Sequence, residues 1–335
     1  MLSRVADSIY WMQRYRERAE NIARLIDVNL YLSIDAPGND QQQWQPIMST
    51  TGDYALFEEL YDKPTEKNAI EFLTFDERNP DSILNCLYRA RENARSIRET
   101  ITFEIWHELN LLYLFTRRIA SSRKELKSLY EFYDRIRRSC QLVTGMTDTT
   151  MSHNEAWHFG RIGNLLERAD QTSRILDVKY FILLPSPQHV GTPYDDILWA
   201  ALLRSISGLE MYRKLYHEIH HAHVIDFMIL NREFPRSVHS CLYRAQASIR
   251  ILASEGPEDF SRAPLVLLEE LCAELAATRV YEIVKRGLHE YLDDLQTKIS
   301  AISDSIYNTY FSPLESGSDA PRGAVLGVGA GGNQE

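Results

Sequence analysis

The sequence predicts an all-α protein: an internally duplicated helical bundle whose two pseudo-symmetric repeats pack together. Three observations carry that prediction. Residues 17–28 open Glu17-Arg18-Ala19-Glu20 and return at 167–178 as Glu167-Arg168-Ala169-Asp170, a match at a fixed offset that marks a copied unit. Cys86-Leu87-Tyr88-Arg89-Ala90 returns unchanged as Cys241-Leu242-Tyr243-Arg244-Ala245, and residues 129–134 resemble 288–293. The offset widens along the chain, so short insertions separate otherwise collinear repeats. Finally, apolar residues recur at helical spacing, and no stretch sustains the period-2 alternation of a half-buried strand. The repeats are assigned to residues 1–150 and 151–312, related by a pseudo-twofold axis like an isologous dimer written on one chain. Residues 313–335, rich in Gly, Ser, Ala and Pro, are predicted to form a disordered tail.

Residues 3–34 read as one long amphipathic helix, with Ser3 as N-cap and Asp35-Ala36-Pro37-Gly38 as the stop. The run Gln41-Gln42-Gln43 and Lys63-Pro64 read as loops, with a helix over 54–61 between them. Thr65 starts a short helix that reaches Phe75. Asn79-Pro80 reads as a cap followed by proline at the first helical position, opening a long run to Ser121 that breaks once. A further helix covers 124–146, with Gly145 near its end, and the Thr- and Ser-rich residues 147–152 join the repeats. The second half repeats this order. A helix over 154–184 stops at Pro185-Ser186-Pro187, Pro193 opens a helix to His221, and 224–230 is short and apolar. Pro235 opens a helix to Glu255, and 262–311 divides into two more.

The chain has 335 residues, 44% of them apolar and 25% charged, which is ordinary globular material. Its net charge of −10 argues against a nucleic-acid binder that works through a broad basic face. Cys86, Cys140, Cys241 and Cys272 show no metal or redox spacing and read as small buried hydrophobes of a reduced, cytoplasmic protein. Charges at Arg4, Asp7, Arg14 and Arg16 interrupt the N-terminal segment, so no signal peptide is expected. No apolar run reaches 18 residues, so no membrane span is expected.

Chemistry is concentrated in the Glu-Arg helices. At about 100° per residue, Glu17, Glu20, Arg24 and Asp27 share one face, and Glu167, Asp170, Arg174 and Asp177 repeat it. Read blandly this is a surface ladder, since Glu20 and Arg24 form an i,i+4 pair worth a few tenths of a kcal/mol. Arg18 and Arg168 are different. They project from the apolar side, where an unpaired guanidinium would cost several kcal/mol. Matching arginines in two repeats point to a shared polar network where the repeats meet, either a structural ion-pair network or one that also lines a ligand site. There, arginine offers a carboxylate a two-pronged fork, and glutamate accepts from an ammonium.

Three other clusters bear on function. Glu92, Asn93 and Arg95, with Arg98 and Glu99, put polar groups on a helix that must bury one face; the second half keeps only Arg250 at the place of Arg95. Asn231, Arg232 and Arg236 lie at a helix start, where backbone N–H groups and an arginine suit an anion, or simply cap the helix. His217, Glu218 and His221 have a Glu-x-x-His spacing, but no second such motif accompanies it, so a solvated helix end is expected and no metal. No Gly-rich phosphate loop or nucleophile elbow is visible, and no cofactor is expected.

Residues 3–12, continuing through Glu17-Arg18-Ala19-Glu20-Asn21, resemble the opening of the bacterial alpha-E family. Two further stretches resemble its hallmarks: Arg91-Glu92-Asn93-Ala94-Arg95, running on to Trp106 and Asn110, and Phe234-Pro235-Arg236-Ser237-Val238. The resemblance covers residues 1–312 and implies an all-helical fold. It also implies association with a circularly permuted ATP-grasp ligase and a transglutaminase-like protein, and so a part in making or modifying peptides by ATP-dependent amide-bond formation. Where the family carries an aspartate before Arg-Glu-Phe-Pro, this chain has Asn231, so no role that needs a carboxylate there is carried over. Three readings follow: an accessory protein that binds a peptide or amino-acid substrate for the ligase; an enzyme acting on peptide amides with Glu17, Arg18, Glu92 and Arg95; or a structural dimerisation scaffold. The first is the expectation taken forward.

Overall fold

In the computed structural model, described for residues 1–35, 40–51, 54–123, 126, 128–183, 193–255 and 262–312, two long helices form the centre. They are α1 (Ser3–Asp35) and α8 (Glu155–Leu183), and they lie side by side in the same direction. The Met1 ammonium meets Glu155 at one end, and Arg18 meets Glu167 further along. Neither helix contains proline, and α8 brings two glycines to the crossing. A Cβ on Gly163 would collide with the Tyr10 carbonyl oxygen, so only glycine lets the two backbones approach this closely; a Cβ on Gly160 would press only on the side chains of Ile9 and Gln13.

Other helices pack on this pair. Helices α5 (Ile83–Ser96), α7 (Leu129–Thr150) and α9 (Pro193–Ser205) lie on α1; α2 (Asp40–Thr51), α12 (Val238–Glu255) and α15 (Leu288–Ile306) lie on α8. Between α5 and α7 sits α6 (Phe103–Ser121), and between α12 and α15 sits α13 (Ala263–Ala277). The remaining helices are short: α3 (Tyr54–Leu60), α4 (Glu66–Thr74), α10 (Leu209–Tyr216), α11 (His221–Ile225) and α14 (Val280–Arg286). Two single π-helical turns, Asp226–Leu230 and Tyr307–Phe311, follow α11 and α15. Ile9, Met12, Ile26, Ile162, Leu166 and Leu176 from the central pair are fully buried, each stabilising the fold by about 1.5–3 kcal/mol through loss of wetted apolar surface. All four cysteines are buried thiols, and burial pushes those of Cys241 and Cys272 up to about 11. The described residues contain no strand, and no described helix is long and apolar enough to cross a membrane.

Several boundaries differ from expectation for local reasons. The glutamine run is helical, because Trp44, Ile47 and Met48 of α2 form a fully buried stripe that outweighs the polar start and Pro46. Neither Asn-Pro nor Phe-Pro opens a helix. Asn79 is buried, with its amide donating to the Phe72 carbonyl and its side-chain oxygen accepting from Asp81 N, and Ser82 caps α5 three residues later. Likewise Ser237, not Pro235, accepts from Ser240 N at the start of α12. Gly145 lies inside α7, which runs to Thr150 and leaves a shorter connection than 147–152. The run from Pro193 to His221 breaks at Ser207, whose φ is +53°, and at Gly208, where a Cβ would crowd Phe227 and Phe234. Residues 262–311 hold three helices, because Gly287 with φ +102° separates α14 from α15. The predicted stops at 36–38 and 185–187 and the tail 313–335 lie outside the described residues.

Candidate functional site

The charged face of α1 is interior. Glu17 and Glu20 are 0% exposed, and Arg16, Arg24 and Asp27 are also buried, which replaces the expected surface ladder with a network between the central helices. An i,i+4 pair has the same spacing on either face of a helix; what turns this one inward is α8 and its own acids and arginines.

Glu167 accepts from Arg18 at 2.7 and 3.1 Å and from Arg14 at 2.9 Å, and Arg18 also reaches Asp81 at 2.5 Å. Glu17 accepts from Arg168 at 2.8 and 2.9 Å, from Arg236 at 3.0 Å, from Arg16 at 3.2 Å and from the Asn164 amide at 3.2 Å. Glu20 accepts from Arg236 at 2.5 Å, Arg24 at 2.6 Å and Arg16 at 3.3 Å. Thus each Glu-Arg dipeptide donates an arginine to the other's glutamate. Six guanidiniums, those of Arg14, Arg16, Arg18, Arg24, Arg168 and Arg236, meet four carboxylates, those of Glu17, Glu20, Glu167 and Asp81.

Burial alone would raise these carboxyls, but the arginines outweigh it. Glu167 is held down to about 2 by Arg18 and Arg14, and Glu17 well below the carboxylate range by Arg168 and Arg236. Arg236 is itself shifted down: burial is the main cause, and Arg168 and Arg24 add repulsion against the pull of Glu20 and Glu17.

The structure places the remaining sequence candidates elsewhere. Asp170 pairs with Arg174 on α8 at 2.8 Å. Glu92 is held by Arg91 and by Arg95, whose side chain is largely exposed, and neither Glu92 nor Arg95 bonds to Glu17 or Arg18. Asn93 lines a groove of about 480 Å³ with Asp7, Trp11, Tyr15, Tyr88, Arg89 and Glu92. Arg232 lies outside the network, its guanidinium 4.6 Å from the Tyr243 ring centre. Asn231 caps locally, accepting from Glu233 N and Phe234 N, while Arg236 turns inward to Glu17 and Glu20. His217 has φ +62° at the end of α10, and His217, His220, His221 and His223 are exposed. Among the described residues no three His, Cys, Asp or Glu side chains gather in a metal-binding group.

Sequence reasoning missed Arg14, Arg16 and Asp81, and it missed a second cavity. Also about 480 Å³, it opens between α1, α7, α8 and α12 and is lined by Gln13, Thr144, Thr147, Asp148, His153, Trp157, Arg161, Asn164, Arg168 and Arg244 among others. Gly160 and Gly163 were the available signal: two glycines inside a long helix mark a place where something approaches closely.

The family described as Alpha-E, a predicted alpha-helical domain with a conserved ER motif, matches residues 1–311. Uncharacterized proteins of Mycobacterium bovis and of two strains of Mycobacterium tuberculosis are 23% identical over 332 aligned residues, covering 89% of this chain and 36% of each of theirs. The chain therefore spans about a third of the length of these curated relatives. No solved structure matches. The Glu-Arg dipeptides of α1 and α8 are where the fold locks, and on the extent of the match the chain belongs to the Alpha-E family.

Proposed function

We propose that this protein is an accessory, substrate-binding module that works in the cytoplasm with an ATP-grasp type amide ligase, and alongside a transglutaminase-like protein, in peptide synthesis or modification. The supporting observation is the mycobacterial relatives, in which a region like this chain makes up about a third of a longer polypeptide, so that further sequence accompanies it there. The geometry is compatible with that role: the central network is closed, and the open grooves on either side of it are walled by charged and aromatic side chains. The enzymatic alternative draws no support from the geometry, because Glu17 is enclosed and Glu92 and Arg95 pair away from it.

On the same reading the chain is a duplicated unit, residues 1–150 and 151–312, packed about a pseudo-twofold axis. The support is the packing order. The pair α1 and α8 carry α5 and α12, α7 and α15, and across the centre α9 and α2, in the collinear order of the repeated sequence.

The test is ATP-dependent amide formation by an ATP-grasp ligase encoded beside or fused to an Alpha-E protein, assayed with and without this chain. The proposal expects this chain alone to turn over neither peptides nor ATP, and the ligase to lose peptide binding or rate when it is withheld. Unchanged ligase binding and turnover without it would contradict the proposal.

A further inference from the structure

The cavity between α1, α7, α8 and α12 holds charge that no ion pair among the described residues neutralises. Arg161 and Arg244 line it, and neither forms an ion pair with a described residue. Arg161 lies over the Trp157 ring, 4.8 Å from its centre. Trp157 is buried and stacks on His153 at 3.9 Å with an 18° tilt, so one wall is a flat aromatic surface. On α8, Trp157, Arg161, Asn164 and Arg168 follow at helical spacing along one face, and Arg168 is the group that leads from the cavity into the buried network. That network already carries six guanidiniums against four carboxylates. The cavity therefore continues a surplus of positive charge behind low-dielectric walls, which focuses its field outward on solutes.

A fold stabilises itself by pairing half-buried guanidiniums, not by leaving two beside a third. Burial shifts Arg161 down, and Arg244 beside it adds to the shift, while Asp148 opposes it. Asp148 is the one carboxylate lining the cavity, and it lies exposed on α7.

We propose that this cavity binds a small zwitterionic acid, of the size of a dipeptide. Its carboxylate lies between Arg161 and Arg244, its ammonium toward Asp148, and its body against Trp157. Planar guanidiniums suit a carboxylate by two-pronged hydrogen bonding. The carboxylate of Asp148 favours a ligand with a positive group over a bare phosphate. The cavity volume lies within the range of small-molecule pockets, about 300–1,000 Å³. The assignment rests on the substrate-binding half of the function proposed above and not on the ligase, and its test uses this protein alone.

Calorimetric titration of the full chain with the zwitterionic dipeptide alanyl-alanine is the test, with its C-terminal amide and inorganic phosphate as the comparison arms. Binding of the free acid is expected, weakened about tenfold or more by Arg161→Gln or by Arg244→Gln and by amidation of the peptide. Because neither arginine has an ion-pair partner among the described residues, both unliganded variants are expected to stay folded with melting temperatures close to that of the wild type, Arg161→Gln giving up only its contact with the Trp157 ring. No binding up to about 10 mM, equal binding by the double variant, or binding of phosphate but not of the dipeptide would overturn the assignment. A result of that kind would leave the ligase partnership untouched, whereas dipeptide binding without any effect on the ligase would remove the partnership alone.

Discussion

The two grooves flanking the central helices share a framework and differ in what they offer. In the first, Arg89 donates to the Tyr15 hydroxyl at 3.3 Å and lies 5.4 Å from the centre of its ring. In the second, Leu165 stands at the position that the repeat pairs with Tyr15, and Arg244, which pairs with Arg89, has no such acceptor. Trp11 and Asp7 of the first groove correspond to Arg161 and Trp157 of the second. One oxygen of Asp7 is buried without a partner, and burial raises its carboxyl, partly countered by Trp11. The first groove is thus aromatic and acidic and the second cationic, while the Glu17–Arg168 and Glu167–Arg18 pairs between them mirror each other. The comparison teaches that the central pairs hold the helices together while the rims differ in chemistry.

The largest expected effect comes from breaking a central pair. Glu17→Ala leaves Arg168 without an acid and Arg236 with Glu20 alone, and is expected to cost about 3–5 kcal/mol in urea unfolding. Glu167→Ala leaves Arg14 without an acid while Arg18 keeps Asp81, so a cost of similar size is expected. A cost below about 1 kcal/mol for either variant would contradict the network's role.

Acid sharpens the same point. Glu17, Glu20 and Glu167 are depressed carboxyls, so their contribution is complete above the ordinary glutamate value and is lost as pH falls through the folded value, about 2 for Glu167. Unfolding monitored by circular dichroism is expected to set in below pH 4.5, with Glu167 alone contributing on the order of 3 kcal/mol across that window. Stability that is flat down to pH 2 would contradict the network's charge state.

Glycine contrasts come next. Gly163→Ala forces α1 and α8 apart and is expected to cost about 1–3 kcal/mol. Gly145→Ala, with open space around the added methyl inside α7, is expected to stabilise by about 0.5–1 kcal/mol. The smallest effect belongs to the groove rim: Tyr15→Phe removes the acceptor of Arg89 and is expected to cost about 0.5–1.5 kcal/mol, without loss of fold by circular dichroism.

Much of this was legible in the sequence. The helical spacing gave the all-α class, and the placement of Arg18 and Arg168 among apolar neighbours pointed them inward. Thr65 capping α4, by accepting from Asn68 N, followed from local chemistry alone. The burial of Glu17 and Glu20 was not legible, because a charged stripe has the same period whether it meets water or another charged stripe. Nor was the inward turn of Arg236, which depends on a loop bringing residue 236 against a helix more than 200 positions earlier. The helix starts failed where a buried Asn79 and a Ser82 cap outcompeted the Asn-Pro signal. The arginines of the cationic cavity meet only once α8 and α12 pack together.

The account turns on whether the reciprocal Glu-Arg pairs hold α1 to α8. A double-mutant cycle on Glu17 and Arg168, measured by urea unfolding of the two single alanine variants and the double, tests it most directly. The prediction is a coupling of about 1–3 kcal/mol, the double variant being far less destabilised than the two singles together. Additive losses, with no coupling, would contradict it.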